Sequence, residues 1–175
     1  MDEPPSDASA PDQRQLKALW EALQRASKRD KPPSQLLSEF AGGIADVVST
    51  DDDGSINKYD LLCPRKECGS VILKKGVAML AERPSVQLEP TDAERHELLP
   101  ALPEAPEGME WWLISPSPMA FENIGFSRPV SSPSSQGTHL KLLACAECDL
   151  GPLGWSVEGG REFWLASTRV GYQLT

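Results

Sequence analysis

The sequence lacks a long apolar run, an excess of basic residues and a basic, apolar leader. No apolar stretch approaches the roughly 20 residues that a membrane-spanning helix needs. The start, Met1-Asp2-Glu3-Pro4-Pro5, is acidic and proline-rich, unlike a secretory signal. The 175 residues include 17 Lys and Arg against 26 Asp and Glu, and the net charge of -9 disfavours a phosphate backbone as partner. We therefore expect a cytoplasmic protein with no transmembrane segment and no nucleic-acid partner.

Cysteine is also scarce, and its four occurrences fall into two short clusters. Four residues separate Cys63 from Cys68, and two separate Cys145 from Cys148. Two such pairs can supply the four thiolates of a tetrahedral structural zinc ion, and Gly69 gives the freedom that a tight turn around a metal needs. The alternatives are two disulfides or scattered buried thiols, although disulfides rarely persist in a cytosolic chain. The pattern predicts one structural Zn²⁺ held by all four cysteines.

Residues 1–58 differ in composition from the rest and are predicted to form an N-terminal extension. Residues 1–11 are polar and predicted to be disordered. An amphipathic helix is predicted after Asp12, which can cap it, with an apolar stripe at helical spacing: Leu16, Leu19, Trp20 and Leu23. The stripe could pack on the protein's own core or on a partner. Ser34 can cap a second helix carrying Leu37, Phe40, Ala41 and Ile44, weakened by Gly42 and Gly43.

Residues 59–175 are predicted to form an all-β domain that binds the zinc ion. Short apolar runs recur there between Gly, Pro or charged turns, which is the pattern of β-strands. The runs are Leu61-Leu62, Val71-Ile72-Leu73, Val77-Ala78-Met79-Leu80, Trp111-Trp112-Leu113-Ile114, Leu140-Lys141-Leu142-Leu143 and Phe163-Trp164-Leu165-Ala166. Residues 84–108 and 127–137 lack periodicity and are predicted to be solvated surface loops. Phe126 and Trp155 are expected to pack in the core.

The C-terminal half contains two specific motifs. Residues 121–126 read Phe-Glu-Asn-Ile-Gly-Phe, and residues 145–155 read Cys-Ala-Glu-Cys-Asp-Leu-Gly-Pro-Leu-Gly-Trp. With these motifs the chain resembles the Mss/Dss family of Rab guanine-nucleotide-releasing factors, also called Rab-interacting factors. The resemblance runs from about Tyr59 to Val170. It implies a mainly β fold of coiled sheets, the β-tent type, with a pair of structural zinc knuckles. The family usually has two residues inside the first cysteine pair, where this chain has four.

The resemblance also implies a function. Its members bind exocytic Rab GTPases in the nucleotide-free form and promote release of GDP or GTP, without covalent catalysis, so the chain is expected to be a regulatory factor and to reach membranes only through its Rab. The family's Rab-contacting residues map onto Ser117, Pro118, Met119, Ala120, Phe121, Asn123 and Glu147. From the residues alone, Phe121 could equally be a packing residue and Glu147 an ordinary solvated acid.

Two other functions fit parts of the pattern. A holdase that stabilises empty Rab GTPases without significant exchange needs the same preference for the empty state, so the sequence does not separate it from an exchange factor. A zinc-containing methionine sulfoxide reductase would need a reactive cysteine beyond the four metal ligands. The sequence has no fifth cysteine.

Overall fold

The computed structural model describes residues 12–27, 33–90, 92–132 and 137–174. The chain divides into two compact units, Met1–Lys31 and Pro32–Thr175. The predicted disorder of residues 1–11 falls outside the described residues. No helix in the described part of the chain is long and apolar enough to cross a membrane.

The first unit contains helix α1, Gln13–Ser27, where the sequence predicted an amphipathic helix. Asp12 begins it, because its backbone carbonyl accepts from the N–H groups of Gln15 and Leu16 at 2.8 and 3.0 Å. The four apolar side chains of the stripe are all exposed, from 50% at Leu16 to 63% at Trp20. Glu21 and Arg25 form an ion pair on the helix surface at 3.9 Å.

The second unit is built from short antiparallel strands, which confirms the predicted mainly β fold. The strands are β1 Ser34–Leu36, β2 Val48–Asp51, β3 Gly54–Asn57, β4 Leu61–Leu62, β5 Val71–Leu73, β6 Met79–Pro84, β7 Gly108–Ile114, β8 Ile124–Phe126, β9 Val130–Ser131, β10 His139–Cys145, β11 Gly154–Val157, β12 Phe163–Ala166 and β13 Gly171–Gln173. They form a smaller sheet in the order β1-β13-β4-β5 and a larger one in the order β2-β3-β6-β7-β12-β11-β10-β8, with β9 also paired to β10.

The main core contains side chains from both sheets, and two consecutive hydrogen bonds are buried in it. Trp112 Nε1 donates to the hydroxyl of Tyr172 at 2.9 Å, and that hydroxyl donates to the carbonyl of Ser167 at 2.7 Å. Burial raises the pKa of Tyr172, and the Trp112 donor offsets only part of this effect. The hydroxyl therefore stays protonated and keeps both bonds. Trp155 is buried, as predicted.

The segment predicted to be a second helix forms no α-helix, so that prediction is wrong. Ser34–Leu36 is strand β1, paired with β13, and short 3₁₀ turns follow at Leu37–Glu39 and Gly43–Val47. Gly43 has a φ of 58°, which a regular helix does not contain. Phe40 instead packs its ring against Tyr172 at 5.8 Å between centroids. Tertiary packing and strand pairing thus override the weak helical periodicity.

Residues 33–57 consequently belong to the β unit rather than to an extension. Strands β2 and β3 form a hairpin at one edge of the larger sheet. Val47 is 0% exposed, and Asn57 is 1% exposed. The Asn57 side chain donates to the carbonyls of Tyr59 and Lys74 and accepts from two backbone N–H groups, those of Val77 and Ala78. The compact unit therefore begins at Pro32 and not near Tyr59.

The loop between β6 and β7 has no strand or helix among its described residues, as predicted, but it is not fully solvated. Leu88 packs in a small apolar cluster with Trp111 and Trp164, on the other face of the sheet from the main core, and Leu99 packs in the main core. The Glu89 carboxylate forms an ion pair at 2.5 Å with Arg169, whose side chain is 0% exposed. Isolated leucines and a buried charge therefore hold this loop on the domain.

Candidate metal centre and adjoining surface

The four cysteines converge at one point of the fold. All four Sγ atoms lie within 4.8 Å of one another, with Cys63 and Cys148 at 3.6 Å and Cys68 and Cys145 at 3.7 Å. A disulfide would require about 2.05 Å, and the cysteines are free thiols. A tetrahedron of thiolates around a metal at about 2.3 Å has edges of about 3.8 Å. The quartet therefore has the size of a tetrathiolate site and could hold a metal ion.

The first cysteine turn, residues 63–69, leaves the end of β4. The Cys63 N–H donates to the carbonyl of Ser70 at 2.8 Å, which closes the base of the turn. At its tip, the N–H groups of Cys68 and Gly69 donate to the carbonyl of Arg65 at 3.0 and 2.9 Å. Gly69 has a φ of 55°, so glycine is favoured here for its backbone conformation.

The second cysteine turn, residues 145–149, repeats the geometry of that tip at the end of β10. The Asp149 N–H donates to the carbonyl of Cys145 at 2.9 Å, and Asp149 has a φ of 59°. Arg65 thus occupies the place in the first turn that Cys145 occupies in the second. The longer spacer of the first pair is accommodated because Cys63 lies two residues before an otherwise equivalent turn.

The surroundings of the thiols shift their pKa values in different directions. Burial raises the pKa of Cys68 to about 11 and raises the pKa of Cys63 further. In both cases a backbone hydrogen bond lowers the pKa and offsets only part of the effect of burial. For Cys148, burial also raises the pKa, but the backbone N–H of Leu150 and the neighbouring thiols outweigh it and the net shift is downward. Without a metal, two of the four thiols therefore resist ionisation at neutral pH.

The predicted partner residues 117–121 form a 3₁₀ turn, Pro118–Ala120, between β7 and β8. The hydroxyl of Ser117 accepts from the Met119 N–H at 3.1 Å and caps the turn. Met119 is 88% exposed, whereas Phe121 is 9% exposed and packs edge-on against Phe163 at 5.9 Å. Met119 is thus presented to solvent by a turn that Phe121 anchors in the core.

Asn123 joins this turn to the second cysteine turn. Its side-chain amide donates to the carbonyl of Val71 at 2.9 Å, and its own carbonyl accepts from the Ala146 N–H at 3.3 Å. Strands β8 and β10 continue the pairing from there, with Ile124 opposite Cys145. Glu147, the residue after Ala146, is exposed. The structure therefore brings the 117–123 segment beside the cysteine quartet.

Phe126 differs from its prediction. It was expected in the core, but it lies on β8, the last strand in the order of the larger sheet, and is 39% exposed, with its ring edge-on to Phe163 at 5.8 Å between centroids. Phe126 therefore adds apolar surface at the end of β8 that the sequence did not predict. The available signal was its position in a short edge segment followed by a polar loop, Ser127 to Gly137.

The fold and the cysteine quartet together define a class: an antiparallel β domain in which two distant turns form a four-thiol cluster that could hold a metal ion. A family model described as Mss4 protein matches residues 56–172, which covers most of this domain. The chain belongs to the Mss4 family.

Two relatives show how far the similarity extends. A protein of Drosophila melanogaster is 38% identical over 66 residues, which cover 38% of this chain and 48% of the relative. A protein of Schizosaccharomyces pombe is 31% identical over 103 residues, which cover 57% of this chain and 85% of the relative. Both are named guanine nucleotide exchange factor MSS4 homolog. The match thus spans about half the length of the fruit fly protein and most of the fission yeast protein.

Proposed function

We propose that the chain binds a Rab-type small GTPase in its nucleotide-free form and thereby promotes release of guanine nucleotide in vesicular, exocytic transport. The names of the two relatives support the exchange activity. The observation that supports the proposed site is the hydrogen bond from Ala146 N–H to the Asn123 carbonyl, because it ties the segment that carries the exposed Met119 to the turn that carries Glu147. The chain acts in the cytoplasm as a regulatory factor, and no bond of the nucleotide is broken.

The mechanism is thermodynamic linkage. A GTPase holds its nucleotide with a phosphate loop, a lysine, a magnesium ion and mobile switch segments. A partner that prefers the empty conformation lowers the affinity of the GTPase for nucleotide. Bound nucleotide lowers the affinity of the GTPase for that partner by the same factor. Preference for the empty state is therefore necessary for exchange, and faster release further requires that the partner engage the GTPase while the nucleotide is still bound.

Met119 and Glu147 are suited to such a preference in different ways. Met119 offers an exposed, flexible thioether side chain that can adapt to a displaced apolar segment. Glu147 offers a carboxylate to the cationic groups that lose their phosphate partner when the nucleotide leaves. The remaining predicted contact residues position these two side chains. The 3₁₀ turn, the packing of one residue in the core and the hydrogen bond to residue 146 do so, and the residues are Ser117, Pro118, Ala120, Phe121 and Asn123.

We also propose that the quartet holds one structural Zn²⁺. The four cysteines are free thiols, and the measured Sγ–Sγ distances of 3.6 and 3.7 Å match the edge length of a tetrathiolate zinc tetrahedron. Bound zinc would clamp the two cysteine turns together and so fix the position of Glu147. Its chemistry is structural, since all four ligand positions would be filled by protein.

The test is release of a fluorescent guanine nucleotide from each member of a Rab panel, with increasing amounts of the chain. Glu147→Lys and Met119→Asp should each weaken release at least about tenfold, because one reverses an interface charge and the other puts a charge into an apolar contact. Glu104→Lys, an equal charge change at an exposed position of the β6–β7 loop, is the matched control. Zinc content and melting temperature should stay at the parent values.

Two outcomes would contradict the proposal. Parent-like release by both site variants would show that this surface is not the contact. Binding of the empty GTPases without faster release, measured by pull-down with nucleotide-free and nucleotide-loaded forms, would identify a holdase instead.

A further inference from the structure

Helix α1 combines an apolar stripe with a basic opposite face. At about 100° per residue, its four large apolar side chains fall within an arc of about 100°. Arg14, Lys17, Glu21 and Arg25 project on the opposite side of the same helix. Leu19, Trp20 and Leu23 are 56–63% exposed, so none of the residues described in this unit, 12–27, covers the stripe. An isolated helix of this length needs a surface against which to bury such a stripe.

The charge of this region is opposite to that of the remaining chain. Residues 13–31 contain six basic residues and two acidic ones, a net charge of +4. The rest of the chain must then carry -13, since the total is -9. Clustered Lys and Arg on an amphipathic helix with Trp and Leu on its other face are the combination that binds an anionic bilayer surface.

We propose that α1 binds the surface of anionic membranes, with its leucine and tryptophan stripe among the lipid chains and its basic face at the headgroups. The helix lies outside residues 56–172, so this activity would be separate from the function of the β domain. It also replaces the expectation that membrane contact occurs only through a GTPase. The acidic β unit is repelled by the same surface, which favours contact through the helix alone.

The test uses the full chain with vesicles of phosphatidylcholine alone or of an equimolar mixture with phosphatidylserine, at about 0.15 M ionic strength. Cosedimentation should occur with the anionic vesicles and be at least tenfold weaker with the neutral ones. Each Lys or Arg at such a surface contributes roughly a fivefold factor, so Arg14→Gln with Lys17→Gln should reduce partitioning about 25-fold. The matched control is Lys75→Gln with Arg161→Gln, which removes two exposed charges from the β unit and should leave binding unchanged.

Tryptophan fluorescence supplies an independent readout of the apolar face. Trp20 is 63% exposed, whereas the other four tryptophans are 0–7% exposed: Trp111, Trp112, Trp155 and Trp164. Brominated lipid in the anionic vesicles should therefore quench Trp20, and the Trp20→Phe variant should lose that quenching. Leu19→Gln should reduce both quenching and cosedimentation.

Three results would overturn the proposal. The first is absence of binding to anionic vesicles, and the second is equal loss in the helix variant and its control. The third is protection of Trp20 from aqueous iodide before vesicles are added, which would show that a protein surface covers the stripe instead.

Discussion

Gly69 and Asp149 occupy corresponding positions in the two cysteine turns. Each directly follows the second cysteine of its pair, donates its N–H to the residue four positions earlier at 2.9 Å, and has a left-handed φ of 55° or 59°. Glycine adopts this conformation without strain, and aspartate is among the few other residues that tolerate it. The same backbone requirement has thus been met with two different residues.

This correspondence predicts effects of different size for substitution at the two positions. Gly69→Ala should lower the free energy of unfolding by about 1 kcal/mol, because alanine is strained at this φ. Asp149→Gly should change it by less than about 0.5 kcal/mol, because relief of strain is offset by the greater entropy of the unfolded chain. Urea denaturation of the metal-loaded protein measures both. Equal destabilisation by the two changes would contradict the equivalence of the turns.

Metal affinity should rise with pH. The pKa of Cys68 is raised to about 11 by burial, and that of Cys63 is raised as well, so both thiols are protonated at neutral pH without a metal. Binding must displace these protons, and each one contributes about a tenfold gain in apparent affinity per pH unit below the thiol pKa. Competition with a chromophoric zinc chelator between about pH 6 and pH 8 measures the slope. A flat profile would mean that the thiols are already ionised.

Removal of one thiol checks the stoichiometry of the same site. Cys145→Ser should abolish tight binding of one equivalent of zinc, because the hydroxyl is a poor ligand and three thiolates remain. Elemental analysis after gel filtration gives the count. Zinc retained at one equivalent would contradict a four-cysteine ligand set.

The β unit should tolerate deletion up to Pro32 but not up to Asn57. A chain starting at Pro32 keeps β1, β2 and β3 and should melt cooperatively. A chain starting at Asn57 loses the buried Val47 and the partly buried Phe40 that packs against the core, at up to roughly 1.5–3 kcal/mol for each side chain, out of a total stability of about 5–15 kcal/mol. Thermal denaturation followed by circular dichroism compares the two. A cooperative melt of the shorter chain would show that the segment is peripheral.

Breaking the ion pair of Glu89 and Arg169 should strongly destabilise the protein, because it leaves a buried charge uncompensated. Glu89→Gln leaves the buried guanidinium without a counter-charge and should cost about 3 kcal/mol, the lower end for a broken buried pair, because the carboxylate is 20% exposed. Glu94→Gln, at an exposed position of the same loop, should change stability by less than about 0.5 kcal/mol. Denaturant midpoints decide the comparison. Matching midpoints would mean that the loop is held by its leucines alone.

The sequence predicted the cysteine quartet and the mainly β fold because both leave local signatures. Ligand pairs show in their spacing, and strands show as short apolar runs between turns. Strands β1 and β2 were missed because they are short and largely polar, and their pairing with distant strands has no local signal. The burial of Leu88 and Leu99 was missed for a related reason: single apolar residues in an acidic, proline-rich segment have no period to detect.

Strand β13 lies between β1 and β4 in the smaller sheet, so its neighbours precede it by more than 100 residues along the chain. During synthesis, β1 and β4 must therefore wait for residues 171–173 before their shared sheet can close. The thiols of Cys63 and Cys68 wait in the same way for the second cysteine turn. Pairings of such long range slow folding and leave strand edges open in the nascent chain, so ribosome-bound fragments of this protein are expected to depend on chaperones.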